Sequence, residues 1–328
     1  MTSDPPFRRR WPWLGADLQT VRNVLPFRLP GIPPGSGERF EIALGDGSGD
    51  RLVARYHAAR EPAPAVVLVP GLTGCEGSRH VLQSAGAFLA AGAAVVRLNL
   101  RGSAPGRSLA RGHYHMDSVG DLADACRAVA ELDAGTREHG IAILGFSLGG
   151  ALALRLAASP GLPPAVRAVV AVSAPVDLAA TADRIARPRN HLYERWLLAR
   201  LREESEPVWR RAPPAVRSAL LGARHIREFD DAFTAGKAGF RDAAAYYASC
   251  SPGRTIGALR VPTLVLHADD DPWVPPPVLA ARPPLEIVVT RGGGHVGFHG
   301  RGSRLPWYVG AAARFIRASA STPPGSAG

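Results

Sequence analysis

The chain has 328 residues, 46% of them hydrophobic and 20% charged, which is enough to bury a full core and excludes a disordered or fibrous class. The net charge is +11, yet 38 of the 39 basic residues are arginine, with Lys237 the single lysine, and they are scattered. Without a basic stripe or interleaved aromatics, that charge argues against nucleic-acid binding and leaves only loose attraction to an anionic membrane surface.

The start carries Arg8-Arg9-Arg10, but Trp11-Pro12-Trp13 and polar residues follow, so no apolar core of an export signal is present. No stretch is long and apolar enough to predict a transmembrane helix. Residues 1–37 are rich in proline and glycine and read as an extended surface arm. Glu38 to Leu44 and Arg51 to His57 read as strands around a Gly/Ser/Asp turn, and Ala65 to Val69 as a short, fully buried strand. Pro70-Gly71-Leu72-Thr73-Gly74 is a tight turn, after which Ser78 is placed to cap a helix reaching about Ala91. Ala94 to Leu100 is the next strand, and Asp117 to Asp133 is helical with Leu122, Ala125, Cys126, Val129 and Leu132 on one face.

The apolar run Ile141-Ala142-Ile143-Leu144 leads into Gly145-Phe146-Ser147-Leu148-Gly149-Gly150, and an Ala/Leu helix follows. A G-x-S-x-G sequence between a strand and a helix is a nucleophile elbow: the glycines let the backbone turn sharply and present the serine at a helix N-terminus. Val166 to Ser173 is a further strand. The block 177–260 breaks the strand–helix alternation with helical stretches such as Tyr193 to Arg202 and Asp242 to Ala248, and it reads as a helical lid. Thr263 to Ala268 and Leu285 to Thr290 are the last two strands, and Leu305 to Ala318 is a closing helix. The tail 319–328 reads as disordered. The expected architecture is an α/β fold with a mostly parallel eight-stranded sheet, its core in 38–176 and 261–318.

A serine hydroxyl is a weak nucleophile and needs a general base with an orienting acid behind it. In such folds the order is serine, acid, histidine, with the partners at strand ends. His295, after the last strand and behind Gly292-Gly293-Gly294, is the base candidate, and His299 is the fallback; His113, His115 and His267 are less well placed. For the acid, Asp269, Asp270 and Asp271 stand together; the spacing to Pro275 selects Asp271, with Asp270 second and able instead to hold the loop through backbone amides. The oxyanion donors expected are the amides of Leu148 and Leu72. No phosphate-binding or dinucleotide-binding glycine motif follows a strand, and no metal-ligand spacing appears, so neither a cofactor nor a metal is expected. Cys75, Cys126 and Cys250 are odd in number and widely separated, which fits no disulfide framework and points to a reducing, cytoplasmic setting.

Several segments together resemble the YheT-like branch of the α/β hydrolases, the branch similar to ABHD1/ABHD3-type proteins and to the yeast ethanol acyltransferase/esterases. They are Leu18-Gln19-Thr20, Gly71 to Gly74, Asn99-Leu100-Arg101-Gly102, Tyr114-His115 with Asp121-Leu122, and the elbow. Ser173 to Leu178, Ile226 to Thr234, Tyr246-Tyr247, Asp270 to Pro275 and Gly293 to Phe298 complete the set. The likeness spans roughly residues 12 to 318. It implies a Ser147–Asp271–His295 relay, favours Asp271 over Asp270, and implies esterase activity on acyl esters. The charged lid residues Arg227, Glu228, Asp230 and Asp231 read as an ion-paired network that docks the lid. A lidded site suggests short to medium acyl chains. Two other functions share the same residues: acyl transfer to an alcohol, and a non-catalytic binding protein on the same fold.

Overall fold

The computed structural model describes residues 6–25, 30–60 and 63–320. A short helix, α1 (Ala16–Val21), precedes the hairpin of β1 (Glu38–Ala43) and β2 (Arg51–His57). Then come β3 (Ala65–Val69), α2 (Arg79–Ala90), β4 (Ala94–Leu98), α3 (Val119–Ala130), α4 (Ala134–His139), β5 (Ile141–Phe146), α5 (Leu148–Ala157) and β6 (Val166–Val172). An all-helical insertion follows, made of α6 (Leu178–Ile185), α7 (His191–Trp209), α8 (Pro214–Gly222), α9 (Ile226–Phe229), a π-helical turn (Asp230–Thr234), α10 (Ala235–Lys237) and α11 (Ala243–Cys250). The chain then returns through β7 (Thr263–Ala268) and β8 (Leu285–Thr290) to α12 (Trp307–Ala320).

The eight strands form one sheet in the order β1-β2-β4-β3-β5-β6-β7-β8. β2 runs antiparallel to both β1 and β4, and every pairing from β4 to β8 is parallel. The mostly parallel eight-stranded sheet expected from the sequence is therefore present. The reason lies in alternation within wholly apolar strands. Val67 and Val69 of β3 face one helical layer with Leu122, Val129 and Leu152, while Val66 and Leu68 face the other with Val81, Phe88 and Tyr308. A sheet covered on both faces needs such continuous apolar runs. Side chains this deep, Ile143 at 0% exposure among them, each cost roughly 2–5 kcal/mol when cut back to alanine.

Several local expectations change. The arm is not simply extended: α1 buries Gln19 and Thr20. Ser78 does stand at the start of α2, but its hydroxyl accepts the Cys75 amide in the preceding loop (3.0 Å) and makes no cap bond. Asp133 lies beyond α3 and instead caps α4, accepting the Thr136 amide (2.7 Å). α7 runs on through Pro207, which lies in its last turn and removes one backbone donor two residues before the helix ends. The closing helix extends to Ala320; the rest of the expected tail, 321–328, and the arm residues 1–5 and 26–29 lie outside the described residues. The insertion has a core of its own, with Leu197, Leu198, Leu201, Phe229 and Phe233, against which Leu72 and Trp273 of the sheet loops pack. That contact seats the insertion over the carboxyl ends of the strands.

Candidate active site

The turn from β5 into α5 is closely packed against backbone. A Cβ on Gly145 would lie 2.5 Å from the Gly149 carbonyl oxygen, and one on Gly149 only 2.2 Å from that of Pro70, so any side chain at either position would collide with backbone. Between them Ser147 is held at φ 50°, ψ −121°, as the residue preceding α5. Five non-glycine residues among those described have such positive φ: Thr73, Ser147, Ser173, Val296 and Phe298. All lie in the loops after β3, β5, β6 and β8. Strain of about 1–3 kcal/mol per residue persists only where surroundings enforce it, and here it collects at one end of the sheet.

The loop after β8 brings His295 to that same end. Its Nε2 lies 2.9 Å from Ser147 Oγ, and its Nδ1 lies 2.8 Å from Asp271 Oδ2. Asp271 is fully buried and its other oxygen accepts the amides of Trp273 (2.8 Å) and Val274 (3.0 Å). Burial pushes the Asp271 carboxyl up, but His295, with His267 and the Val274 amide, outweighs that and holds it below the usual carboxylate range. An ionised carboxylate can only accept, so Nδ1 carries the imidazole proton and Nε2 is left to accept from the serine. Trp273 lies tilted against the imidazole at 4.5 Å, and the insertion secures the aspartate loop, with Arg184 donating to the Asp271 carbonyl (2.6 Å) and Asn190 to that of Pro272 (2.7 Å).

The other candidates separate cleanly. Asp270 accepts the Gly294 amide (2.9 Å) and stands 3.6 Å from the Arg9 guanidinium, while Asp269 accepts the Gly292 amide (2.7 Å). Both brace the histidine loop and neither meets the imidazole. His299 is buried behind that loop, bonded to Gln19 and Arg22, and burial together with Arg22 and Arg10 pushes it down to about 2. Buried His267 points Nε2 at the Val274 carbonyl.

The amides of Leu72 and Leu148 have no acceptor among the described residues. Leu148 opens α5, and Leu72 follows Gly71, whose ideal Cβ would come within 3.0 Å of Ser147 Cβ. Both residues line the same cavity. Its volume is about 470 Å³, and Ser147, His295, Leu201, Phe229, Tyr246 and Trp273 contribute to its walls. His113 and His115 also line it.

Sequence reasoning missed the braces. Thr20 Oγ1 accepts the His295 amide (2.9 Å), Asn23 donates to the Val296 carbonyl (2.8 Å), and Gln19 both accepts the His299 amide (2.6 Å) and donates to its carbonyl (3.1 Å). Gln19 and Thr20 had a signal only in the family-like triplet. It also missed His80, in the first turn of α2, whose ring meets Phe146 edge-on at 4.7 Å. Burial and the nearby His295 push it down to about 4, so it stays neutral in the cavity wall. The charged insertion motif is only partly an ion-pair network. Arg227 pairs with Asp183 (2.7 Å), but Glu228 accepts backbone amides, Asp231 accepts the Ala243 amide (2.7 Å), and Asp230 accepts from the Tyr247 hydroxyl (2.6 Å) at the cavity edge.

A doubly covered, mostly parallel sheet with an elbow serine after its central strand and a histidine after its last defines an α/β hydrolase. Residues 64–301 match the family described as alpha/beta hydrolase fold. The chain is 32% identical over 273 residues to the protein named "Putative esterase YheT" of Escherichia coli K12, covering 80% of this chain and 78% of that one. It is 29% identical over 250 residues to the phospholipase ABHD3 of Mus musculus, covering 74% of this chain and 60% of that longer one. The chain belongs to the α/β hydrolases, in their YheT/ABHD3-like group. Among solved structures, 2,6-dihydroxy-pseudo-oxynicotine hydrolase superposes with a TM-score of 0.58 at 20% identity, covering 94% of this chain and 74% of that one. The Pyrococcus furiosus esterase Pf2001 superposes at 0.54 with 14% identity, over 97% of each chain. These relatives support hydrolase activity of the esterase or lipase type. Among the described residues no helix is long and apolar enough to cross a membrane.

Proposed function

We propose that this protein is a serine hydrolase that cleaves carboxylic esters of short to medium acyl chains. Ser147 attacks the acyl carbonyl, His295 takes the serine proton and later delivers it to the leaving alcohol, and Asp271 holds the imidazole in the required tautomer. The amides of Leu72 and Leu148 receive the oxyanion of the tetrahedral intermediate, and water releases the acyl group. One observation carries this reading: Nε2 of His295 stands 2.9 Å from the Ser147 hydroxyl while Nδ1 stands 2.8 Å from buried Asp271. The apolar walls of the cavity favour an acyl chain over a charged group, and about 470 Å³ falls within the usual range for small-molecule pockets. The setting proposed is cytoplasmic.

p-Nitrophenyl esters of increasing chain length test the reading. Turnover should rise and then fall with length, and a fluorophosphonate should label the wild type but not Ser147→Ala, whose kcat should drop by about a millionfold. A folded wild type that neither hydrolyses any ester nor takes the label would overturn it. The same cavity, roofed by the insertion, favours a second reading: transfer of the acyl group to an alcohol. Added ethanol should then yield ethyl ester faster than free acid.

A further inference from the structure

The third strand's loop holds Thr73 at φ 57°, a conformation that a β-branched residue adopts only under constraint. Its amide donates to the hydroxyl oxygen of Tyr114 (2.8 Å), and that hydroxyl donates to Glu204 Oε2 (2.7 Å). Glu204 belongs to α7 of the insertion, so one phenol ties a loop of the core to a helix of the roof. Tyr114 and Glu204 are 4% and 7% exposed, and the ring of His113 stacks on Tyr114 at 4.3 Å with its Nε2 3.6 Å from Glu204.

A backbone amide can only donate, so the phenol oxygen accepts from Thr73. The phenol has one hydrogen, and it goes to Glu204. Burial and the neighbouring Glu204 push the Tyr114 hydroxyl well up, so it keeps that hydrogen. Thr73 directly follows Leu72, a residue that lines the cavity together with Ser147 and whose amide has no acceptor among the described residues.

We propose that Tyr114 and Glu204 are positioning residues through which α7 holds the Gly71–Gly74 loop, so that the Leu72 amide is aimed at the transition-state oxyanion. The inference rests on the serine hydrolase reading and deepens it. Seating of the insertion and readiness of the oxyanion hole then become one event, because the bond that docks α7 also orients the loop. Neither side chain touches the reacting atoms.

The experiment begins with wild-type protein shown to hydrolyse a p-nitrophenyl ester; a wild type without hydrolysis or fluorophosphonate labelling removes the parent reading and this inference with it. In active protein, Tyr114→Phe is expected to lower kcat by about 10- to 100-fold with little change in KM, a fraction of the loss from deleting an oxyanion donor outright. Affinity for an alkyl boronic acid, which forms a tetrahedral adduct on serine, should fall by the same factor. Affinity for an unreactive ether analogue of the substrate should not. Glu204→Leu should reproduce these losses, and Glu204→Gln, which keeps an acceptor oxygen, should recover most of the rate. Should Tyr114→Phe fail to fold, the two Glu204 variants carry the test. Variants with lowered melting temperature but wild-type kcat and wild-type boronate affinity would overturn the proposal, since a purely structural tie would give that result.

Discussion

Three consecutive aspartates share one chemistry and part company through their surroundings. Asp271 meets an imidazole and two loop amides in full burial, whereas Asp270 and Asp269 each accept one glycine amide of the histidine loop. Asp271→Asn should therefore cost about 10⁴ in kcat by favouring the wrong imidazole tautomer. Asp270→Asn still offers an oxygen to the Gly294 amide and should cost less than about 10-fold. Ester hydrolysis by the two purified variants checks this, and equal losses would sink the distinction. The pH dependence has a defined sign. Because its folded-state carboxyl lies below the unfolded value near 3.9, Asp271 contributes stability above about pH 4, and loses it as pH falls through the depressed value.

At the level of elements, α1 acts as a brace although it is only six residues long. Its isolated helical stability is negligible, so side-chain hydrogen bonds to the histidine loop hold it in place. The approach is close: a Cβ on Gly294 would lie 2.5 Å from the Ala16 carbonyl oxygen. Replacing Gln19 with alanine should leave the His299 amide without a partner and its carbonyl with only the Arg10 amide (3.3 Å), destabilising by about 1–3 kcal/mol and speeding hydrogen exchange across 292–299. Unchanged exchange there would show that α1 is not the brace. In the insertion, the π-helical turn places Asp230 at the cavity edge, where burial pushes its carboxyl up to about 6 against the Tyr247 hydrogen bond and the Arg227 charge. A raised folded-state value means stability present below about pH 4 and lost as pH rises through about 6. Asp230→Asn keeps an acceptor for Tyr247 and removes the charge. It should raise the melting temperature at pH 8, by at most about 3 kcal/mol of stability, and leave it unchanged at pH 4.

Across the whole molecule the net charge is +11, carried almost entirely by arginine. Many of these side chains serve the fold. Arg101 pairs with Asp46 (2.7 Å) and Asp121 (2.5 Å), and fully buried Arg97 donates to the carbonyls of Glu76, Pro34 and Ser36. The surplus predicts loose, salt-sensitive adhesion to anionic surfaces. The protein should co-sediment with phosphatidylglycerol vesicles at about 10 mM salt and be released at about 0.5 M, with no retention on phosphatidylcholine alone. Retention at high salt would mean that apolar insertion, not charge, drives the contact.

The strands and the elbow were legible because their information is local. An apolar run of five or six residues, a glycine on either side of a serine, and a glycine-rich stretch before a histidine each sit within a few positions. Ser147 and His295 could be singled out from such neighbourhoods, and the acid narrowed to the run Asp269 to Asp271, since each closes a strand or the turn after one. What tertiary structure alone decided was which groups meet: Tyr114 with Glu204, ninety positions on, and Gln19 with His299, at opposite ends of the chain. Burial likewise distinguished the Asp271 carboxyl from its neighbours and lifted that of Asp230. Hydrogen bonds of this kind follow from where chain packing brings two segments together, and no periodicity in either segment records its partner.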